Sequence, residues 1–405
     1  MAIRGSGPEP VSDRIRVLVV DDSALMRRLL CDLLASAPEI EVVGTARNGR
    51  EAVLEAVRLK PDVVTLDVEM PEVSGLEALP LLLAAHEAPV VMVSALTQEG
   101  ADVTLQALEL GAVDFMPKPE RNQLAEMRAG AELLIAKVLT AAQSRVRRAR
   151  RSPPPSASAP AAAEGARPAA TRPPFPPRSR PGAGPGESRG RPRDQPASAP
   201  AQPAPGQPCV VIGISTGGPQ ALSQVLPQVA PPSPPILIVQ HMPAQFTGVF
   251  SERLNRSCSM TVREAAEGDF VLANQILVAP GGRHMALVGS PPRVRVSISD
   301  EASVSGHKPS IDVLFQSAAR IYQSVAVGIL MTGMGRDGVE GCKAILAAGG
   351  FTAGQDEATS VVYGMNKAAY TEGAIRAQFS LDELPGILHD IAAYRQEVEG
   401  RKRDR

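Results

Sequence analysis

A long segment rich in proline, alanine, glycine, serine and arginine divides this chain into two parts. It runs from about residue 144 to residue 208 and includes the stretches PPPSASAPAAA and RPPFPPRSRPGAGPG. Such a composition buries too little apolar surface to fold, and its prolines block both helices and strand ladders. The chain is therefore predicted to hold two folded domains, at 14–135 and 209–395, joined by a disordered linker at 141–208.

The region before this segment alternates short β-branched runs with amphipathic stretches. IRVLVV, EVVGTA, DVVTLD, PVVMVS and AVDFMPK indicate strands, and helical patterns separate and follow them. Continuous apolar strands that alternate with helices are typical of a parallel sheet covered on both faces. We therefore predict an α/β domain with five parallel strands at the N-terminal end.

The region after the segment returns to the same alternation. CVVIGI, PILIVQ and SVAVGILM indicate apolar strands, and PQALSQVLPQV and GVEGCKAILAAGG indicate helices after two of them. The stretch NQILVAPGGRHMALV predicts a hairpin of two short strands around a Gly-Gly turn, and RVRVSISD predicts a strand with one exposed face. The expected fold is a doubly wound, mostly parallel α/β domain with an antiparallel hairpin.

Charge and apolar patterning exclude several classes of protein. Lys and Arg number 42 and Asp and Glu number 43, so the formal net charge is -1, which does not favour binding to nucleic acid or to a membrane surface. The N-terminus lacks the apolar core of a secretory signal, and no apolar run is long enough to cross a bilayer. We expect a cytoplasmic, monomeric protein that neither inserts into membranes nor binds nucleic acid. The basic run RVRRARR is better interpreted as a solvated boundary than as a surface for an anionic partner.

Charged and hydroxyl side chains follow four strands of the first region. Asp21 and Asp22 follow IRVLVV, Asp67 ends DVVTLD, Ser94 ends PVVMVS and Lys118 follows AVDFMP. The carboxyl ends of parallel strands share one edge, so these side chains should converge. Clustered carboxylates hold a hard cation such as Mg²⁺, and one of them can accept a phosphoryl group whose charge the metal and a lysine stabilise.

The motifs VLVVDDSALMRRLL, LDVEMPEVSGLEAL, VMVSALT and ALELGAVDFMPKP resemble the response-regulator receiver family. The resemblance implies a flavodoxin-like fold and Asp67 as the phosphoacceptor. The magnesium ligands that it implies are Asp21, Asp22, Asp67 and the backbone carbonyl of Glu69. The switch positions that it implies are Ser94, Phe115 and Lys118.

The sequence GISTG in the second region matches the pattern G-x-S-x-G. It lies between the strand CVVIGI and the helix PQALSQVLPQV, which is the strand–turn–helix setting of a nucleophile elbow and would expose Ser215. The following helix offers backbone N–H groups to a developing oxyanion. A glycine-rich turn at this place can also cradle a phosphate, although the G-x-G-x-x-G of dinucleotide sites is absent.

A nucleophilic serine needs a base and a group that orients the base. His241 follows the strand ILIVQ and should share a sheet edge with Ser215, while His284 and His307 lie in the hairpin region as possible neighbours. Asp337, in the loop MTGMGRDG, should reach the same edge. It can cap the next helix, orient the imidazole, or do both.

The motifs IGISTGGPQAL, VQHMP, APGGRHM, HKPSIDVLF, MTGMGRDG and QDEATSVVYGM resemble the chemotaxis protein-glutamate methylesterases, the CheB family. The resemblance implies a triad of Ser215, His241 and Asp337, with Thr216 and Met334 in oxyanion binding or nucleophile positioning. It implies demethylation of receptor glutamates, deamidation of receptor glutamines, chemoreceptors as substrates and a CheA-type histidine kinase as phosphodonor. No cofactor is expected for the esterase.

Two other classes of function stay open at this point. The second domain could be a binding module that has lost its activity and only sequesters a receptor or kinase, although the intact triad speaks against it. A DNA-binding response regulator is disfavoured because no helix-turn-helix pattern follows the first domain. Within the enzyme class, the second candidate is a methylesterase for a receptor array that controls a behaviour other than swimming.

Overall fold

A computed structural model describes residues 14–94, 97–118, 124–144, 200–203 and 206–403. Most of the predicted linker, residues 145–199, falls outside them. The described residues of both domains belong to one compact unit.

The first domain alternates strands and helices. Its strands are β1 (Ile15–Val20), β2 (Ile40–Ala46), β3 (Val63–Asp67), β4 (Val90–Ser94) and β5 (Asp114–Pro117). Its helices are α1 (Ala24–Ala35), α2 (Gly49–Leu59), α3 (Gly75–Ala85), α4 (Gln98–Glu109) and α5 (Leu124–Gln143). In the described part of this domain the five strands form one parallel sheet, as the sequence predicts, and their order is β2-β1-β3-β4-β5.

Polar residues at the strand ends start the helices that follow. Ser23 accepts the N–H of Met26 before α1, and Ser74 forms a reciprocal capping box with Glu77 before α3. These caps satisfy N–H groups that the first helical turn leaves free. They also fix where the chain leaves the carboxyl edge of the sheet, which is where the acidic residues lie.

The second domain has a larger sheet. Its strands are β6 (Cys209–Ile214), β7 (Ile236–Gln240), β8 (Thr261–Glu264), β9 (Gln275–Val278), β10 (His284–Val288), β11 (Arg295–Ser299), β12 (Ala326–Leu330), β13 (Phe351–Gln355) and β14 (Ala377–Phe379). Its helices are α6 (Gly218–Val225), α7 (Ala244–Ser257), α8 (Ile311–Tyr322), α9 (Val339–Ala347), α10 (Met365–Thr371), α11 (Leu384–His389) and α12 (Ile391–Arg403).

Seven of these strands, counted over the described residues, form a parallel sheet in the order β14-β13-β12-β6-β7-β9-β8. Every residue of β6, β7 and β12 is buried, because helices cover both faces of the sheet. The strand order changes direction around β6, so the carboxyl ends of β6, β7 and β12 form the crevice where α/β proteins place their sites.

The antiparallel hairpin is present, but it lies one strand later than predicted. The predicted pairing of NQILV with RHMALV is wrong: β9 is fully buried in the parallel sheet, and β10 pairs with β11 instead. The Gly-Gly pair serves close packing, because a Cβ on Gly281 would stand 2.5 Å from the carbonyl oxygen of Met242. The turn of the real hairpin contains Gly289, whose φ of 90° favours glycine.

Described residues at the two ends of the predicted linker have regular structure. Helix α5 continues to Gln143, and Ala201 pairs with Ala273 through two backbone hydrogen bonds of 3.3 and 2.8 Å. The second domain therefore includes a few residues before β6. Among the described helices, none combines the length and apolar character needed to cross a membrane.

Candidate functional site

The first domain gathers acidic groups and one lysine at the carboxyl edge of its sheet. Lys118 Nζ lies 2.6 Å from Asp67 Oδ2 and 3.1 Å from Asp21 Oδ2, and both aspartates are buried. Burial raises the pKa of Asp67 to about 6, although the hydrogen bond and charge of Lys118 pull it down. One ammonium group therefore only partly compensates these buried carboxylates, and the site favours a further cation.

The geometry suits a hard divalent cation. Carboxylate oxygens of Asp21, Asp22 and Asp67 lie within 4.8 Å of one another, and oxygen ligands of this kind suit Mg²⁺. The N–H of Glu69 points to Asp67 Oδ1 at 3.4 Å, which places the Glu69 backbone beside the cluster. Ser94 is buried at the end of β4, and its hydroxyl contacts the carbonyl of Gly100 at 3.4 Å. The sequence-predicted residues around Asp67 therefore meet at one edge.

In the second domain, Ser215 lies on a sharp turn between β6 and α6. Its N–H donates to the carbonyl of Thr332 at 2.9 Å, and its own carbonyl accepts the N–H of Gly218 at 2.8 Å. Gly217 takes a φ of 78°, a left-handed conformation that most residues avoid. This geometry is that of the predicted nucleophile elbow.

His241 follows β7 and contacts the predicted third member. Its Nε2 lies 2.9 Å from Oδ2 of Asp337, and Asp337 is buried. The Asp337 carboxylate also accepts the hydroxyl of Ser310 at 2.9 Å and the N–H groups of Ile311 and Asp312 at 2.7 and 3.1 Å. Asp337 therefore also caps a helix, but it is α8 rather than the helix that follows Asp337 in sequence.

The charge state of Asp337 follows from these contacts. Burial alone would raise its pKa, but the hydrogen bond and charge of His241 and the N–H groups of α8 lower the pKa to about 2. The carboxylate is thus ionised at every pH at which an imidazole is neutral. It can therefore hold one imidazole tautomer and stabilise the imidazolium that forms when His241 takes a proton.

The second ring nitrogen of His241 is available as a base. Because Asp337 is ionised, Nε2 carries the proton and Nδ1 carries the lone pair. Over the described residues, Nδ1 is buried and has no hydrogen-bond partner, so the Ser215 hydroxyl does not reach it in this state. Nucleophile–base hydrogen bonds are often long in free enzymes and tighten when substrate binds.

A second histidine, His307, stacks on the first. The rings of His241 and His307 stack with centroids 3.8 Å apart and planes 6° apart. Burial, followed by the nearby charge of His241, lowers the pKa of His307 to about 4, so His307 is neutral near pH 7. It supplies a flat uncharged surface beside the base. His284 instead accepts the N–H of Ser310 at 3.2 Å.

The predicted oxyanion and positioning residues are also at the site. Ser215, Thr216, His241 and Met334 line one cavity of about 350 Å³. The hydroxyl of Thr216 donates to a carboxylate of the first domain, Asp114 Oδ2, at 2.6 Å. The site thus combines a serine on a sharp turn, a histidine bound to a buried carboxylate and a cavity beside them.

Comparisons with known proteins identify the family of this chain. The family described as CheB methylesterase matches residues 210–388, and the response regulator receiver domain matches residues 17–129. A protein-glutamate methylesterase/protein-glutamine glutaminase of Koribacter versatilis is 42% identical over 375 residues, which are 92% of this chain and 95% of that protein. The chain belongs to the CheB family.

Two further comparisons involve whole and partial CheB proteins. A protein-glutamate methylesterase/protein-glutamine glutaminase of Alkalilimnicola ehrlichii is 44% identical and covers 92% of this chain and 98% of its own length. The crystal structure of the Thermotoga maritima CheB methylesterase catalytic domain is 33% identical, with a TM-score of 0.45, and covers 46% of this chain and 99% of that domain.

The receiver domain of this CheB protein lies against the methylesterase site. Asp114, in β5, accepts the Thr216 hydroxyl and pairs with Lys137 at 2.7 Å. Next to it, the ring of Phe115 packs 4.3 Å from that of Phe246 in α7, measured between centroids. Phe115 and Lys137 also line the cavity that contains Ser215. In this state the receiver therefore covers Ser215.

Further contacts between the receiver and the second domain lie around the contact of Asp114 with Thr216. Arg253 of α7 lies 2.6 Å from Glu109 and 3.3 Å from Asp102, both in α4. The side-chain amide of Gln220, in α6, donates to the carbonyls of Leu108 and Ala112. These groups are partly exposed, so each ion pair contributes little beyond about 1 kcal/mol. The contact between Asp114 and Thr216 is buried, so it should contribute more than these ion pairs to holding the receiver over Ser215.

Sequence reasoning missed three residues of the site. Asp114 and Gln240 stand directly beside the predicted Phe115 and His241, but no strand pattern shows that Asp114 meets the other domain or that a Gln240 amide turns toward the elbow. Ser310 lies in the motif HKPSIDVLF, where its contact with Asp337 depends on the folded approach of α8. The sequence shows that these residues are close along the chain to predicted site residues, but it does not show which groups they contact in the fold.

Proposed function

We propose that Ser215, His241 and Asp337 catalyse the reaction of the CheB family in this chain: hydrolysis of glutamate methyl esters and deamidation of glutamines on chemoreceptors. The observation that carries this proposal is the ionised Asp337 bound to His241 Nε2, which leaves a buried lone pair on Nδ1 beside the Ser215 elbow. A binding module would have no need for an imidazole held in this tautomer.

The reaction begins with attack on the ester carbonyl. Ser215 Oγ forms a bond to the carbonyl carbon while His241 Nδ1 takes the hydroxyl proton, and Asp337 stabilises the resulting imidazolium. The bond to the methoxy oxygen then breaks, and His241 returns the proton to give methanol. A water molecule opens the acyl-enzyme by the same route and leaves a glutamate carboxylate. With a glutamine substrate, the first leaving group is ammonia.

The tetrahedral intermediates require donors for a developing oxyanion. We assign this role to the Met334 backbone and to Thr216, which lie beside Ser215 in the same cavity. The Thr216 hydroxyl currently donates to Asp114, so it becomes available only when the receiver moves away. The esterase needs no cofactor in this scheme, because the triad supplies both nucleophile and base.

Control is assigned to the receiver, with Asp67 as the phosphoacceptor. Lys118 would pair with the new phosphoryl group, Ser94 would donate a hydrogen bond to it, and Phe115 would change its packing. The residues that would hold Mg²⁺ are Asp21, Asp22, Asp67 and the Glu69 carbonyl. The bound cation would neutralise charge on the phosphoryl oxygens.

The partners follow from the same proposal. The substrates are methyl-accepting chemoreceptors, and the phosphodonor is a CheA-type histidine kinase. The near-zero net charge supports a protein that does not bind nucleic acid. A monomeric state and a cytoplasmic location are parts of this proposal.

Methanol release from methylated receptor membranes tests the function. We expect release by the full-length protein, and an increase when Mg²⁺ and a small-molecule phosphodonor are added. Receptor preparations that were never methylated serve as the control. No methanol in either condition, together with retained binding to the receptor, would favour the binding-module alternative.

Asp67→Asn should abolish stoichiometric phosphorylation by a small-molecule donor and remove the activation that depends on it. The reason is that Lys118 and two further carboxylates converge on Asp67. Radiolabel or intact mass measures the phosphoryl group, and methanol release measures activation. Asp32→Asn, which changes an exposed aspartate of α1, is the matched control and should behave as wild type. Full phosphorylation and activation of Asp67→Asn would place the acceptor elsewhere.

A further inference from the structure

Gln240, the last residue of β7, connects the backbones of the nucleophile and the base. Its side chain is buried, with 2% exposure. The side-chain nitrogen Nε2 donates to the carbonyl of Ser215 at 3.0 Å and to the carbonyl of His241 at 3.2 Å. One amide group therefore contacts both residues whose side chains must meet during the reaction.

The Gln240 amide keeps this orientation although its oxygen atom has no hydrogen-bond partner among the described residues. Across the described residues, Gln240 Oε1 is buried and has no hydrogen-bond partner. Burying an acceptor without a partner is unfavourable. The opposite orientation would turn Oε1 toward two carbonyl oxygens and would be worse. The two hydrogen bonds that Nε2 donates therefore determine the orientation of the amide. The unfavourable free energy of this orientation comes from burying Oε1 without a partner.

The elbow is shaped around this amide. A Cβ on Gly218, at the start of α6, would stand 1.9 Å from Gln240 Oε1. The glycine therefore lets the start of α6 approach the amide oxygen closely, and any larger residue there would displace the amide.

The position of Gln240 in the sheet explains how it can affect geometry at the site. Strands β6 and β7 are neighbours, and Gln240 is paired in register with Ile214. The ladder ends at this pair, and the N–H of His241 donates to the carbonyl of Ile214 at 3.1 Å. The amide adds a second connection past the end of the ladder, where Ser215 and His241 project into the cavity.

We propose that Gln240 is a positioning residue: its amide fixes the separation of Ser215 and His241 so that the serine hydroxyl can reach Nδ1 when substrate binds. Gln240 is not among the described residues that line the cavity with Ser215, so its effect would pass through the Ser215 and His241 backbones. The inference rests on the proposed roles of those two residues, and it extends them to the groups that hold them in place.

Gln240→Met removes the donor while keeping a similar length, and Gln240→Glu removes it while keeping polarity. In the full-length protein with phosphodonor, we expect kcat for methanol release to fall roughly 10- to 100-fold, the scale of a displacement of about 1 Å at a reaction centre. KM should stay within about twofold, since receptor binding is unaffected. The ratio of phosphorylated to unphosphorylated turnover should also stay unchanged.

Gln275→Met is the control for loss of a buried glutamine. Gln275 begins β9, the strand next to β7, and lies at the amino ends of the strands, away from the carboxyl ends that hold the site. Its buried amide donates to the carbonyl of Phe270 at 3.2 Å and accepts from Nε of Arg263 at 3.2 Å. It should lower the unfolding temperature without lowering kcat. If Gln240→Met does not fold, Gln240→Glu decides the question.

Two results would overturn the proposal: a kcat for a folded Gln240 variant within twofold of wild type, or a fall in kcat that Gln275→Met reproduces. Ser215→Ala is measured in parallel. Full turnover by Ser215→Ala would instead refute the catalytic assignment on which the inference rests, so the two failures are distinguishable.

Discussion

Ser215→Ala should lower methanol release by a factor on the order of 10⁴ or more, and His241→Ala should be about as severe. Members of a triad act as a unit, so removal of either the nucleophile or the base forfeits nearly all of their joint contribution. Asp337→Asn should lose less, because the serine and the imidazole remain while the tautomer is no longer enforced. The expected order of damage is therefore Ser215 and His241 first, then Asp337.

The measurement is initial-rate methanol release at saturating methylated receptor, with the phosphodonor present. Circular dichroism and thermal unfolding show that each variant is folded. Ser290→Ala and His389→Ala change an exposed serine and an exposed histidine and should retain wild-type rates. Near-normal turnover by folded Ser215→Ala or His241→Ala would remove the triad assignment.

Asp114→Ala should raise the turnover of the unphosphorylated full-length protein roughly 10- to 100-fold. A hydrogen bond to a charged group contributes about 1.5–3 kcal/mol net, and each 1.36 kcal/mol changes an equilibrium tenfold. Loss of the bond from Thr216 shifts the protein toward the uncovered state. It also frees the Thr216 hydroxyl. Addition of phosphodonor should then increase the rate less than in wild type.

A graded series separates the central contact from general loosening of the cover. Asp114→Asn retains an acceptor without the charge and should give an intermediate rise. Arg253→Ala should give a smaller rise, because its ion pairs with the receiver are partly exposed. Asp62→Ala, a receiver aspartate that accepts the N–H of Arg16, should change nothing. An unphosphorylated Asp114→Ala protein no faster than wild type would show that this contact does not limit access.

Sequence patterns predict the fold well where periodicity and strand-end position determine it. Strands such as β1, β3, β6 and β12 are continuous apolar runs, and their order along the chain leads to parallel sheets with sites at one edge. The error at β9 and β10 has a physical cause. A Gly-Gly pair permits a hairpin turn, but here it permits close packing under α7, and only the folded chain distinguishes the two.

The site shows the same division. Asp67, Ser215 and His241 stand at strand ends, where sequence alone predicts convergence, and the structure brings each one to its expected edge. The Asp114–Thr216 contact joins residues 102 positions apart in different domains. The hydrogen bonds of Gln240 to Ser215 and His241 depend on the rotation of one side-chain amide. Neither leaves a periodic signal, because each depends on approach in three dimensions.

The packing of Phe115 on Phe246 makes regulation a two-way exchange between the domains. If phosphorylation of Asp67 weakens this packing, thermodynamic reciprocity requires that the packing weakens phosphorylation by the same free energy. The methylesterase domain is then an effector of its own receiver. Large substrates that hold the cover open would favour the phosphorylated form, so receptor occupancy would feed back on how long each signal persists.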